Sequence, residues 1–128
     1  MRLSKEYSAW FKVPDDQDGA EFEFRILTPS ERAAVVDAAM DMTIDFDGEK
    51  PAPKGRPTTQ KGREKEIVLS TKSWKKVFDE DGTELKDFTD KNKLKIFNKV
   101  PGFYEYFSES YRALEKAFGE SRKAQEKN

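Results

Sequence analysis

Apolar and polar positions alternate twice near the start of the chain. Ala9, Phe11 and Val13 share one side of Ser8 to Val13, and Phe22, Phe24 and Ile26 oppose Glu21, Glu23 and Arg25 between Ala20 and Ile26. A period of two is the mark of a half-buried strand. Pro14-Asp15-Asp16-Gln17-Asp18-Gly19 between them supplies turn residues, which predicts an antiparallel β-hairpin. A lone hairpin is marginal in water, so its phenylalanine face requires a helical cover.

The period then lengthens. Thr28-Pro29-Ser30-Glu31 offers a hydroxyl N-cap, a first-turn proline and a glutamate at the third position, predicting a helix to about Met42. Its expected apolar stripe is Ala33, Val36, Met40 and Ile44, with Arg32, Asp37 and Asp41 outside it. Residues 45–62 hold three prolines and three glycines without periodicity and read as a flexible loop. Helical spacing resumes from Arg63 to Phe78 through Ile67, Thr71, Trp74 and Phe78, a stripe that marks Trp74 as core.

Asp79-Glu80-Asp81-Gly82 ends that segment, and Thr83 to Phe88 reads as an extended connector. Thr89 or Asp90 caps a short helix carrying Leu94 and Phe97. Pro101 is expected to open a final helix whose positions Phe103, Phe107, Tyr111, Leu114 and Phe118 fall on one narrow arc. Gly119 reads as its C-terminal stop, with residues 120–128 a mobile charged tail, frayed or helical without packing. The predicted fold is α+β: one small domain over residues 1–128, with an amino-terminal antiparallel hairpin packed on about four helices.

Composition sharpens the picture. Charged residues reach 38%, yet 24 basic and 25 acidic side chains nearly cancel and aromatics make up 12%, which favours a compact aromatic core over disorder. Residues 1–53 carry a net charge of −6, residues 54–76 one of +6 and the remainder −1. The basic stretch lies among Pro51, Pro53, Gly55, Pro57 and Gly62 with no aromatic to stack a base through Arg63, so it reads as a solvated linker before a nucleic-acid footprint.

The absence of Cys and His removes thiolate and imidazole metal sites, disulfides and the usual nucleophile pairs. The acidic turns at 45–48 and 79–82 lack the first and twelfth ligands of a calcium loop. Asp15 and Asp16, or Glu21 and Glu23, lie in no apolar stretch that would tune them for acid/base work. No phosphate-cradling glycine loop is present, and no apolar run marks a signal core or membrane span. The reading is a soluble, cytoplasmic, non-enzymatic protein without a cofactor. Tyr104, Tyr106 and Tyr111 widen the aromatic arc of the last helix, and Tyr104, Tyr111, Arg112 and Lys116 are expected at its edge as a protein-binding surface.

From Ile67 onward specific words appear. Ser73-Trp74-Lys75-Lys76-Val77-Phe78-Asp79-Glu80-Asp81-Gly82 is followed by Glu84 to Phe88, Thr89-Asp90-Lys91-Asn92, Val100-Pro101 and an aromatic helix ending Lys127-Asn128. With Trp10 to Val13 and Phe22 to Leu27, this resembles the tail assembly chaperones of long-tailed bacteriophages, over about two thirds of the chain. The resemblance rests on Trp74, Asp79, Gly82, Phe88, Asn92 and Pro101; Lys76 stands where the family usually has Gly, and Asp87 where it has Pro.

The resemblance implies a protein made in the bacterial host that binds the phage tape measure protein and helps tail tube subunits polymerise around it, without entering the virion. A small charged domain with an aromatic face suits the coating of long amphipathic helices. The alternatives are a nucleic-acid-associated phage or prophage regulator acting through the basic 54–76 segment, and a structural subunit of the tail.

Overall fold

The computed structural model describes residues 1, 5–43, 57 and 59–126, with side chains to Met40 in the first helix and to Lys123 in the last. Two strands, β1 (Ser8–Lys12) and β2 (Glu21–Arg25), form the expected hairpin with Trp10 opposite Glu23 and Phe11 opposite Phe22. The turn between them is held by its own acid: Asp16 Oδ2 accepts from the Ala20 amide at 2.9 Å.

Helix α1 (Pro29–Thr43) opens on a reciprocal cap. The Glu31 amide donates to Thr28 Oγ1 at 3.2 Å, and the Thr28 amide to Glu31 Oε1 at 2.9 Å. Its inward face is Val35 and Ala39, one position off the expected stripe: Ala33 is exposed and Val36 and Met40 are only half-buried. The correction follows from Arg32, expected outside, which turns inward to a buried carboxylate and sets the rotation of the helix. Ile44 lies outside the described residues.

Helix α2 (Gln60–Ser70) starts three residues before Arg63, capped by Thr59 Oγ1, so residues 60–62 belong to it; 45–56 and 58, the rest of the expected loop except Pro57 and Thr59, lie outside the described residues. It does not reach Phe78. After Ser70 the chain becomes β3 (Thr71–Lys75), which completes a three-stranded antiparallel sheet in the order β1-β2-β3, with Phe22 opposite Trp74 and a register shift at Glu23/Phe24. An unpaired second edge on β2 favours extension, and β-branched Thr71 with aromatic Trp74 suits a pleated surface. Ile67 and Trp74 share one core, reached by a helix and then a strand, while Phe78 is left exposed.

The following stretch closes on itself. Asp79 accepts at Oδ1 from the amides of Asp81 and Thr83, both at 2.9 Å, Gly82 turns with φ 81°, and Leu85 N donates to Val77 O at 2.8 Å. Helix α3 (Asp90–Lys99) is capped by Thr89 as expected. Helix α4 (Phe103–Glu126) begins after Gly102, whose carbonyl accepts from Tyr106 N, so Pro101 lies in the preceding turn and not in the first helical turn. The helix continues to Glu126, so Gly119 lies inside it and is not its C-terminal stop.

The core lies between the inner face of the sheet and α4. Phe24 meets Phe107 edge-on at 5.0 Å between centroids, and Phe22 meets Phe103 at 5.1 Å. Edge-on rings align a positive rim with a negative face, which adds to burial itself. Val35, Ile67, Tyr111 and Leu114 fill the far end. The architecture is the α+β arrangement expected, with the sheet gaining one strand.

Candidate binding cleft

One carboxylate is buried completely. Glu66 of α2 has no solvent exposure; its Oε2 accepts from Arg32 Nη1 at 2.7 Å and its Oε1 from Tyr104 Oη at 2.7 Å. A buried charge survives only when paired and hydrogen-bonded. Burial works against the charge on Arg32, but the bonds to Glu66 and to Tyr111 hold its pKa above the ordinary guanidinium value. The Arg32 guanidinium also sits 5.3 Å from the Tyr111 ring centre, and that of Arg63 sits 4.4 Å from the Tyr104 ring centre.

Tyr104 and Tyr111 are therefore core residues, with 9% and 2% exposure, and not the edge residues expected. Tyr104 reaches α2 through Glu66, and Tyr111 Oη accepts from the Leu27 amide at 3.1 Å. The reason is geometric: each hydroxyl has a polar partner inside, so the ring can be buried without stranding it. Arg112 and Lys116 are exposed on α4 as anticipated. Tyr106 is half-buried and donates to Phe11 O at 2.8 Å; burial pushes its phenol pKa upward.

Beside Arg32 the surface opens into a cleft of about 750 Å³. Arg25, Ile26, Leu27, Thr28 and Pro29 form one wall at the exit of β2, while Tyr111, Glu115, Phe118 and Arg122 of α4 form the other. Lys5, Glu6 and Tyr7 make the lip, where the Tyr7 and Phe118 rings lie 5.2 Å apart. Volume and mixed lining are those of a binding cleft.

Some of its charges are already matched. Both Arg25 Nη atoms donate to Glu31, Nη1 to Oε1 at 2.8 Å. That fork, with the Thr28 amide, holds the Glu31 carboxyl down to about 2. Glu6 Oε1 is 2.7 Å from Lys72 Nζ. Arg32 is paired with Glu66 and keeps 30% of its side chain exposed, and among the described lining residues Lys5 and Arg122 face one carboxylate that is in no ion pair, Glu115.

The residues Trp74, Asp79, Gly82, Phe88, Asn92 and Pro101 fall elsewhere. Trp74, 4% exposed, donates from Nε1 to Leu85 O at 2.8 Å and stands edge-on to Phe88 at 4.7 Å. Asp79 and Gly82 make the turn that delivers Leu85, and Asn92 Nδ2 donates to Asp87 O at 2.8 Å. Five of the six thus build one framework between β3 and α3, while Pro101 sits in the turn before α4. Their work in this chain is architectural.

Sequence reasoning missed Arg32 and Glu66, and with them the cleft. A charged pair on two amphipathic helices looks like solvated surface; the one available signal was the spacing of Glu66 beside Ile67 on the apolar side of α2. Among the described residues no group of three or more acidic side chains is placed to hold a metal ion, and no helix is long and apolar enough to cross a membrane.

No family model, no curated protein and no solved structure matches this chain.

Proposed function

We propose that this protein is a phage tail assembly chaperone: it binds the tape measure protein in the host cytoplasm, promotes polymerisation of tail tube subunits around it, and leaves before the virion is complete. The observation that carries the reading is the cleft beside Arg32, where the Tyr7 and Phe118 rings and the exposed cations Lys5 and Arg122 line one open trough beside α4. A trough of that character suits side chains projecting from an amphipathic helix. The resemblance through Trp74, Asp79, Gly82, Phe88, Asn92 and Pro101 supports the same reading. Because Tyr104 and Tyr111 are interior, the contact surface is assigned to the cleft and to exposed Arg112 and Lys116, not to those two rings.

The nucleic-acid alternative is weakened by what the described basic residues of 54–76 already do. Arg63 lies on Tyr104, Lys72 pairs with Glu6, and Lys75 Nζ sits 4.3 Å from the Trp10 ring centre. These contacts point to three parts of the molecule and not to one phosphate-tracking stripe.

The test is co-expression with a phage tape measure protein, followed by affinity purification and by mass spectrometry of finished particles. Co-purification that persists at high salt, together with absence from particles, is the expected result. Retention in purified particles would make it a structural subunit. Binding to nucleic acid that collapses steeply with salt, without capture of the helical protein, would make it a regulator.

A further inference from the structure

The cleft beside Arg32 has a polarity that the general reading leaves undefined. Arg32 is held from behind by the buried Glu66 carboxylate and sits against Tyr111, while 30% of its side chain stays exposed. A guanidinium fixed in this way keeps its orientation without a ligand, so little ordering is required when an anion arrives. Arg122 at the other end is exposed, with its guanidinium 5.7 Å from the Phe118 ring centre, and Lys5 is exposed at the lip. Between these cations lie the apolar surfaces of Tyr7, Ile26 and Phe118. Arg32 is matched by Glu66, Arg25 by Glu31 and Glu6 by Lys72, so among the described lining residues Lys5 and Arg122 face Glu115 and the cleft keeps one positive charge in excess.

We infer that this cleft takes one specific occupant, an acidic-flanked amphipathic helix of the partner protein, with its carboxylates on Arg32, Arg122 and Lys5 and its apolar ridge on the Tyr7 and Phe118 rings. The inference rests on the chaperone reading for the partner's helical form, and on charge complementarity for its sign. An apolar ridge without acids would leave Lys5 and Arg122 facing a nonpolar surface, and a basic flank would oppose them. Glu115, the one anion of the wall in no ion pair among the described residues, works against such an occupant.

Two synthetic helical peptides of the same apolar sequence, one with glutamate flanks and one with lysine flanks, are titrated into the full chain by fluorescence anisotropy. The glutamate peptide is expected to bind about tenfold or more tightly than the lysine peptide. The double charge reversal Lys5→Glu with Arg122→Glu should remove that preference, whereas Lys86→Glu with Lys91→Glu, exposed and outside the cleft, should leave it. Glu115→Gln should tighten the glutamate peptide, a gain that damage to the fold would not produce.

Equal affinity for the two peptides, no binding of the glutamate peptide at millimolar concentration, or indifference to the Lys5/Arg122 reversal would overturn the inference. Capture of the tape measure protein is scored separately with the same variants. Peptide discrimination without capture by the wild type leaves the cleft standing and removes the chaperone reading. Capture that survives the Lys5/Arg122 reversal removes the cleft and leaves the chaperone reading standing.

Discussion

Tyr104 on α4 and Glu66 on α2, 38 residues apart in sequence, share a 2.7 Å hydrogen bond in the interior. That bond ties the final helix to the second, while Arg32 ties the first to the same carboxylate. Three helices thus converge on one buried charge, which fixes the rotation of α1 and builds the back wall of the cleft. Buried ion pairs stabilise less than their Coulomb attraction suggests, because both partners lose water. Breaking one is another matter, since the partner left behind stays buried.

Glu66→Ala is therefore expected to cost about 3 to 5 kcal/mol, measured by urea unfolding, because it takes the shared carboxylate from Arg32 and from the Tyr104 hydroxyl together. Tyr104→Phe removes one donor and should cost about 1 to 3 kcal/mol. Replacing Arg32 and Glu66 together by Met and Leu should cost much less than the sum of the single substitutions. Additive losses across that cycle would show that the three groups do not act as a unit.

Legibility of the fold from sequence divides along the same line. The hairpin was readable because Phe22, Phe24 and Glu23 alternate over a full strand, and the α4 core because Phe103, Phe107 and Leu114 keep one period for three turns. Residues 71–75 were misread as helix because Ile67 and Trp74, seven apart, satisfy helical spacing equally well when a strand carries the second. The pairing with β2 decides between them, and that pairing is tertiary. The tyrosines failed for a related reason: a Tyr at the margin of a stripe is an edge residue unless a distant acceptor or donor takes its hydroxyl. Glu66 and the Leu27 amide do so here, and neither is adjacent in sequence.

Acid should act through Glu31. Its carboxyl is held at about 2 against an ordinary 4.5, chiefly by the bond from Arg25, so the folded state binds its proton more weakly than the unfolded chain. The stability this contributes is complete above about pH 4.5 and is lost as pH falls toward 2. Chemical unfolding of wild type and Glu31→Gln across that window should show curves that converge as acid is added. Glu80, paired with Lys99 and Lys95 on the surface, is also held at about 2, but its pair is exposed and its share should disappear in molar salt. A gap between Glu31→Gln and wild type that stays constant down to pH 2 would remove Glu31 from the acid response.

Trp74 joins three parts of the molecule: it packs on Phe22 of β2, stands against Phe88, and donates to Leu85 O. Trp74→Ala should cost about 3 to 5 kcal/mol, and Trp74→Phe, which keeps a ring but loses the donor, clearly less. Thermal unfolding followed by near-ultraviolet circular dichroism measures both. A Trp74→Ala protein as stable as wild type would mean that the framework from β3 to α3 is not coupled to the core.

Gly62 and Gly119 both lie inside helices, and the same substitution should move them in opposite directions. Every Gly→Ala change in a helix gains about 0.5 to 1 kcal/mol from reduced backbone freedom in the unfolded chain. At Gly62 a new Cβ would come within 2.7 Å of Pro57 Cβ and 3.0 Å of Ala39 Cβ, where α1 and α2 meet. Neither atom is the end of a flexible side chain, so the helices must separate or tilt, and overpacking of that kind costs about 1 to 3 kcal/mol. At Gly119 nothing lies within 4 Å of the added carbon, and the gain stands uncorrected. Gly119→Ala is thus expected to raise the unfolding midpoint and Gly62→Ala to lower it, in side-by-side urea titrations. A stabilised Gly62→Ala protein would mean that α1 and α2 pack less closely at Ala39 than these distances require. A destabilised Gly119→Ala protein would mean that α4 stops near residue 119 in solution and does not run to Glu126.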